Sequence, residues 1–250
     1  MFAAASAGAQ VSAQLTAPYA PGGGAVTAFG YYMSPYTGTV DGKTYQFNCV
    51  DFFHDVVVGQ TWNAISTNLG AAIADNSLLS STRDGSNGYY TTGDALAAYE
   101  KVAWLSTQYP TNPATNAAQS IAIQTAIWAI ASNQLTPTPL SYMTNASGDV
   151  AGSFDVTNPS VISTGYWINQ ANVQYSQQAD GFYNNFYVLT DVNKASAGSA
   201  QEFVYYSATP EPGTLILLGT GMLLVLGVGM WRRRGKGFDG VAVPAVGALS

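Results

Sequence analysis

Two residues of this chain have the type and setting for unusual chemistry: Cys49, its single cysteine, and Gln124, in the apolar run Ile121 to Ala131. Counting by three and four from Gln124 reaches Ala117, Ile121, Ile127, Trp128 and Ala131, so a helix here carries a primary amide on a buried face. Left without partners, such an amide costs roughly 1–3 kcal/mol. Cys49 lies in Tyr45-Gln46-Phe47-Asn48-Cys49-Val50-Asp51, where a regular strand places it with Phe47 and Asp51, opposite Asn48 and Val50. A lone cysteine forms no intramolecular disulfide, and in an oxidising compartment it must be buried, paired between chains or masked. One reaction answers both demands: the thiolate attacks the Gln124 side-chain carbonyl, ammonia leaves, and a Cys–Gln thioester joins strand to helix. Plain packing is the other reading, because cysteine is often buried and a glutamine can satisfy its amide on backbone groups.

Other candidate sites are thinner. His54, the only histidine, sits near Asp51 and Asp55, but one His and one Cys do not make a zinc site of the usual kind, and regular alternation sets His54 on the face opposite both carboxylates. Asp84-Gly85-Ser86-Asn87-Gly88 is rich in oxygen ligands yet lacks a later bidentate Glu, which predicts a surface turn. No phosphate-binding glycine loop, serine-hydrolase elbow or carboxylate pair is found, so the chain is expected to be neither an enzyme nor dependent on a cofactor or metal.

The elements that must position Cys49 and Gln124 follow from periodicity. Strand-like runs are predicted at Ala25 to Met33, Lys43 to Phe53 and Asp55 to Trp62, with Asp41-Gly42 as a hairpin turn and Tyr36-Thr37-Gly38 as a further short turn. Helices are predicted from Asp94 to Gln108, from a cap at Asn112-Pro113 to about Asn133, and from Gly165 to Gln177. Strands return at Phe182 to Asp191 and Gln201 to Tyr206. This order predicts an α+β fold, a β-sandwich or barrel with an inserted helical section, plus one C-terminal transmembrane helix.

The Cys and Gln motifs resemble those of the thioester domain of bacterial surface adhesins. That family pairs an aromatic-Cys-apolar motif with a helix often written T-Q-x-A-I-W. Here Ile123-Gln124-Thr125-Ala126-Ile127-Trp128 matches with Ile in place of the Thr, while Asn48 stands directly before Cys49 and the aromatic Phe47 one place further back. The resemblance spans roughly residues 30–206. It implies that Cys49 is the masked thiol and Gln124 the acyl donor to a nucleophile such as a lysine amine on a surface or matrix partner.

The ends speak to location. Thr214 to Trp231 carry no charge over 18 residues, about 27 Å as a helix and close to the thickness of a bilayer core. Arg232, Arg233 and Arg234 follow directly, which predicts a cytoplasmic C-terminus and an external body. Pro210-Glu211-Pro212 precede the span and hold the chain extended. Pro-Glu-Pro, apolar span and arginine cluster in that order resemble the PEP-CTERM sorting tail of Gram-negative bacteria, which implies processing by an exosortase and delivery to the cell surface or extracellular matrix. The stretch Gly235 to Ser250 is longer than that pattern requires. At the other end, the small residues of Met1 to Ala9 look like the cleavage end of a signal peptide that begins upstream.

The expected organisation is a signal-peptide end and flexible lead (1–24), an ectodomain (25–206), a linker with the Pro-Glu-Pro motif (207–213), a transmembrane helix (214–231) and a basic tail (232–250). Residues 1–212 hold four basic and 13 acidic residues, a net charge of −9, which repels phosphate backbones and argues against nucleic acid as a partner. The expected function is adhesion or attachment through the thioester. The alternative is a structural or carbohydrate-associating matrix protein with the same fold and no such bond.

Overall fold

The computed structural model describes residues 8–19, 24–28, 30–75, 81–83, 92–132, 160–196 and 198–208. Residues 1–207 form one compact unit and 208–250 another. The Pro-Glu-Pro motif, the apolar span, the arginine cluster and the Asp84–Gly88 turn lie outside the described residues. Among the described residues, no helix is long and apolar enough to cross a membrane.

Six antiparallel strands close into a barrel: β1 (Gly8–Ala17), β4 (Tyr36–Val40), β5 (Lys43–Cys49), β8 (Phe203–Tyr206), β7 (Phe186–Asp191) and β6 (Thr61–Asn68), which pairs back to β1. A separate hairpin joins β2 (Val26–Ala28) to β3 (Tyr31–Met33). The α+β barrel is therefore the fold, and the sandwich alternative falls away. Closure depends on β1, which runs where a flexible lead was expected. Its Gln10 to Ala17 alternates polar and small or apolar residues, and Ala13 and Leu15 are buried.

The strand expectations shift in places. Tyr36-Thr37-Gly38 is part of β4 and not a turn, whereas Asp41-Gly42 makes the expected two-residue turn, both residues at positive φ (48° and 76°). The expected strand Asp55 to Trp62 is loop as far as Gln60, and β6 begins at Thr61. Gly59, at φ 90°, turns the chain there and donates its N–H to the Leu15 carbonyl at 2.7 Å.

One face of the strands fills the barrel. Phe47 meets Phe203, with ring centroids 5.3 Å apart, and Phe203 meets Trp62 and Tyr36 across the interior at 6.0 and 6.1 Å. Gly38 is required by this packing, because a Cβ there would lie 2.1 Å from the Phe47 ring. The opposite face of β5, β8 and β7 carries buried Asn48, Val204, Val188 and Thr190.

Among the described residues, four helices accompany the barrel: α1 (Leu69–Asp75), α2 (Thr92–Ser106), α3 (Ala117–Ala131) and α4 (Thr164–Gln174), the last three packed on one another. α3 starts later than expected. Asn112 accepts the Thr115 N–H at 3.3 Å and closes a local turn, and the helix begins only after Asn116. From Ala122 to Ala131 every residue of α3 is buried, as an all-round apolar sequence requires. The segment Phe182–Asn185 is a 3₁₀ turn ahead of β7.

Candidate functional site

Cys49 is the last residue of β5, paired with Phe203 of β8 on the barrel's inner face. The chain leaves the sheet directly afterwards, tethered by Val50 N–H to the Glu202 carbonyl at 2.9 Å. Gln124 is the third residue of the fully buried part of α3, and both residues are 0% exposed. The fold brings them together across a separation of 75 residues: Gln124 Nε2 donates to the Cys49 carbonyl at 2.8 Å.

The other atoms of the pair are held as closely. Gln124 Oε1 accepts from the Ser34 backbone N–H at 3.3 Å and from the Tyr109 hydroxyl at 3.0 Å. The Ser34 hydroxyl accepts the Cys49 N–H at 2.7 Å, so one serine braces both partners. Cys49 Sγ donates to the Asp51 carbonyl at 3.2 Å and accepts from Trp128 Nε1 at 3.4 Å. Trp128 follows Gln124 by one helical turn, which puts both on one face of α3.

Electrostatics keeps the donors protonated. Burial first, and then the charge that Cys49 carries whenever it ionises, push the Tyr36 and Tyr109 phenols well above the ordinary tyrosine value. Tyr109 thus retains at neutral pH the proton it offers to Gln124. Two donors on one side-chain carbonyl oxygen are the arrangement that stabilises an oxyanion when the acyl carbon is attacked. A buried indole N–H on sulfur favours the thiolate, both as nucleophile and as leaving group.

A second buried cluster anchors the segment that follows Cys49. Glu202, 0% exposed, accepts from the Arg83 backbone N–H at 2.7 Å and from the hydroxyls of Tyr99 and Thr190. The Arg83 guanidinium bonds the Asp51 carboxylate, Ser199 Oγ at 2.8 Å and the Ala200 carbonyl at 2.9 Å. His54 Nδ1 lies 2.7 Å from Asp51 Oδ2, so these side chains meet where alternation had set them apart. The reason is local. Residues 50–60 are not a strand, and Asp51 Oδ1 accepts the Phe53 N–H at 2.8 Å, turning the loop back on itself. Among the described residues no group of three or more His, Cys, Asp or Glu is placed to hold a metal ion.

Sequence reasoning missed Ser34 and Tyr109, which no spacing links to Gln124, and the Arg83–Asp51 pair. Trp128 was legible as a core position but not as a sulfur ligand. Asn48, where the resemblance expects an aromatic residue, is buried on the outer face and donates to the Val204 carbonyl at 3.4 Å.

Residues 208–234 match the PEP-CTERM protein-sorting motif. No curated protein and no solved structure matches the chain. The chain therefore carries a sorting motif, and a motif of this class implies an exported, membrane-anchored precursor that an exosortase processes.

Proposed function

We propose that the barrel domain forms an internal thioester between Cys49 Sγ and the Gln124 side-chain carbonyl carbon, and that the sorted protein uses it at the cell surface or in the extracellular matrix to attach covalently to an amine-bearing partner. The observation that carries this reading is the environment of Gln124 Oε1, where Ser34 N–H and Tyr109 O–H converge on the same oxygen while the adjacent Cys49 sulfur receives the Trp128 indole N–H.

The thiol gives up its proton and the thiolate attacks the Gln124 carbonyl carbon. Negative charge collects on Oε1 between the two donors, and Nε2 leaves as ammonia carrying the proton that sulfur lost. In the second reaction an amine attacks the same carbon, an amide forms, the carbon–sulfur bond breaks, and the proton released from nitrogen restores the thiol. No cofactor is needed, and burial protects the bond from water until a partner arrives.

Intact mass of the purified full chain tests this. The expected result is a deficit of one ammonia, absent in Cys49→Ala and converted by methylamine to a methylamide adduct. A full mass together with an alkylatable Cys49 in the unfolded chain would reject the thioester and favour an inert matrix protein of the same fold.

A further inference from the structure

A cavity of about 380 Å³ opens beside the Cys49–Gln124 pair, between the β2–β3 hairpin and the loop that follows β5. Its walls include Tyr31, Tyr32, Tyr36, Phe52 and Trp128, with Asp55 as the carboxylate among them. The aromatic rings form a descending series. Tyr31, 42% exposed, meets Phe52 edge-on at 5.6 Å, and Phe52 meets Trp128 edge-on at 4.9 Å. Trp128, 2% exposed, then touches Cys49 Sγ through its indole N–H at 3.4 Å. The inner wall of the cavity is thus one side chain away from the sulfur. Gln201, also on the wall, donates to the Asp51 carbonyl that receives the Cys49 thiol.

We propose that this cavity is a binding site for a primary alkylammonium group, such as a lysine side chain, and that it delivers the nucleophile to the Gln124 acyl carbon. The second half of this inference rests on the thioester reading, and the first half does not. Aromatic faces attract a cation through their quadrupoles, and the alkyl stem of a lysine packs on the same rings. Asp55 supplies the counter-charge, and the −9 net charge of residues 1–212 favours approach of a cation. A neutral sugar would also use the aromatic faces and could hydrogen-bond the carboxylate, but it brings no positive charge to balance it.

For transfer, the bound ammonium sheds one proton to solvent, and the neutral amine attacks the acyl carbon. The second amine proton passes to the departing thiolate, leaving an amide on Gln124 and a thiol on Cys49. Displacement of the Trp128 and Phe52 rings opens the path.

Binding is measured on full-length Cys49→Ala, which cannot form the thioester, with Nα-acetyl-lysine amide as probe and Nα-acetyl-norleucine amide as its uncharged counterpart. The lysine probe is expected to bind, the norleucine probe at least about fivefold more weakly, and Asp55→Asn, at an exposed position, should reduce the difference. In the wild-type chain Asp55→Asn should slow aminolysis by the lysine probe below saturation, and by a larger factor than it slows aminolysis by methylamine, which lacks the alkyl stem that packs on the rings. Equal binding of the two probes, no binding of either, or stronger binding of a neutral oligosaccharide such as cellotetraose overturns the site, whether or not the ammonia deficit is found. If the deficit is absent while charge-selective binding persists, the thioester reading and the delivery role fail and the alkylammonium site stands.

Discussion

In the proposed thioester chemistry, Tyr109 and Ser34 are the residues that separate a reactive Cys49–Gln124 pair from a merely packed one, because both donate to Gln124 Oε1. Removing the Tyr109 hydroxyl takes one donor from Gln124 Oε1 and leaves the ring in place. Tyr109→Phe is therefore expected to slow thioester formation on the order of a hundredfold, followed as loss of ammonia by mass after refolding of the reduced chain. Of this site, the sequence made visible the cysteine, the glutamine and the helical register that joins Gln124 to Trp128. The two donors to Gln124 Oε1 were not visible, because a backbone N–H from the end of β3 and a phenol from the turn after α2 reach Gln124 only through tertiary packing. His54 shows the same limit. Its approach to Asp51 depends on a loop whose path is set by the Asp51 carboxylate bonding its own backbone.

The elements are held by a few contacts that single substitutions can test. In β4, Gly38 leaves the space that the Phe47 ring occupies, and Phe47 is fully buried. Gly38→Ala is expected to destabilise the domain by about 1–3 kcal/mol, measured by urea unfolding, since neither the ring nor the paired strands have room to retreat. The loop after β5 depends on the buried Arg83–Asp51 pair. Asp51→Ala strands a guanidinium whose residue is 2% exposed, with an expected loss of about 3–5 kcal/mol in the same assay.

For the whole molecule, alkaline pH should be the destabilising direction. Burial pushes the Tyr205 phenol up to about 12 and those of Tyr36 and Tyr109 well above the usual 10.0. Each phenol holds its proton more tightly in the folded chain than in the unfolded one. The stability it contributes is complete below pH 10 and is lost as pH rises through the folded-state value, about 2–3 kcal/mol for Tyr205 alone by pH 12. Unfolding followed by circular dichroism alongside phenolate absorbance should therefore show a cooperative loss of structure between pH 10 and 12. The sorting tail makes a separate prediction. In cells lacking the exosortase, the precursor should sediment with membranes and keep its tail, and recovery as a freely soluble full-length chain would contradict the anchoring role.

The sorting motif was fixed by local sequence, because charge, proline and hydropathy act over a few neighbouring residues and need no fold to be read. The same holds for the Asp41-Gly42 turn and for the all-round apolar α3, whose patterns are set within one turn of chain. Barrel closure was a tertiary decision. β1 carries only small and moderately apolar inward residues and becomes a strand because β4 and β6 each present it an open edge. The polar setting of Cys49 and Gln124 was decided in the same way, since the Ser34 N–H, the Cys49 sulfur, the Tyr109 phenol and the Trp128 indole come from four separate stretches of chain, and only the packing of α3 and the β2–β3 hairpin against the end of β5 puts their atoms within hydrogen-bonding distance.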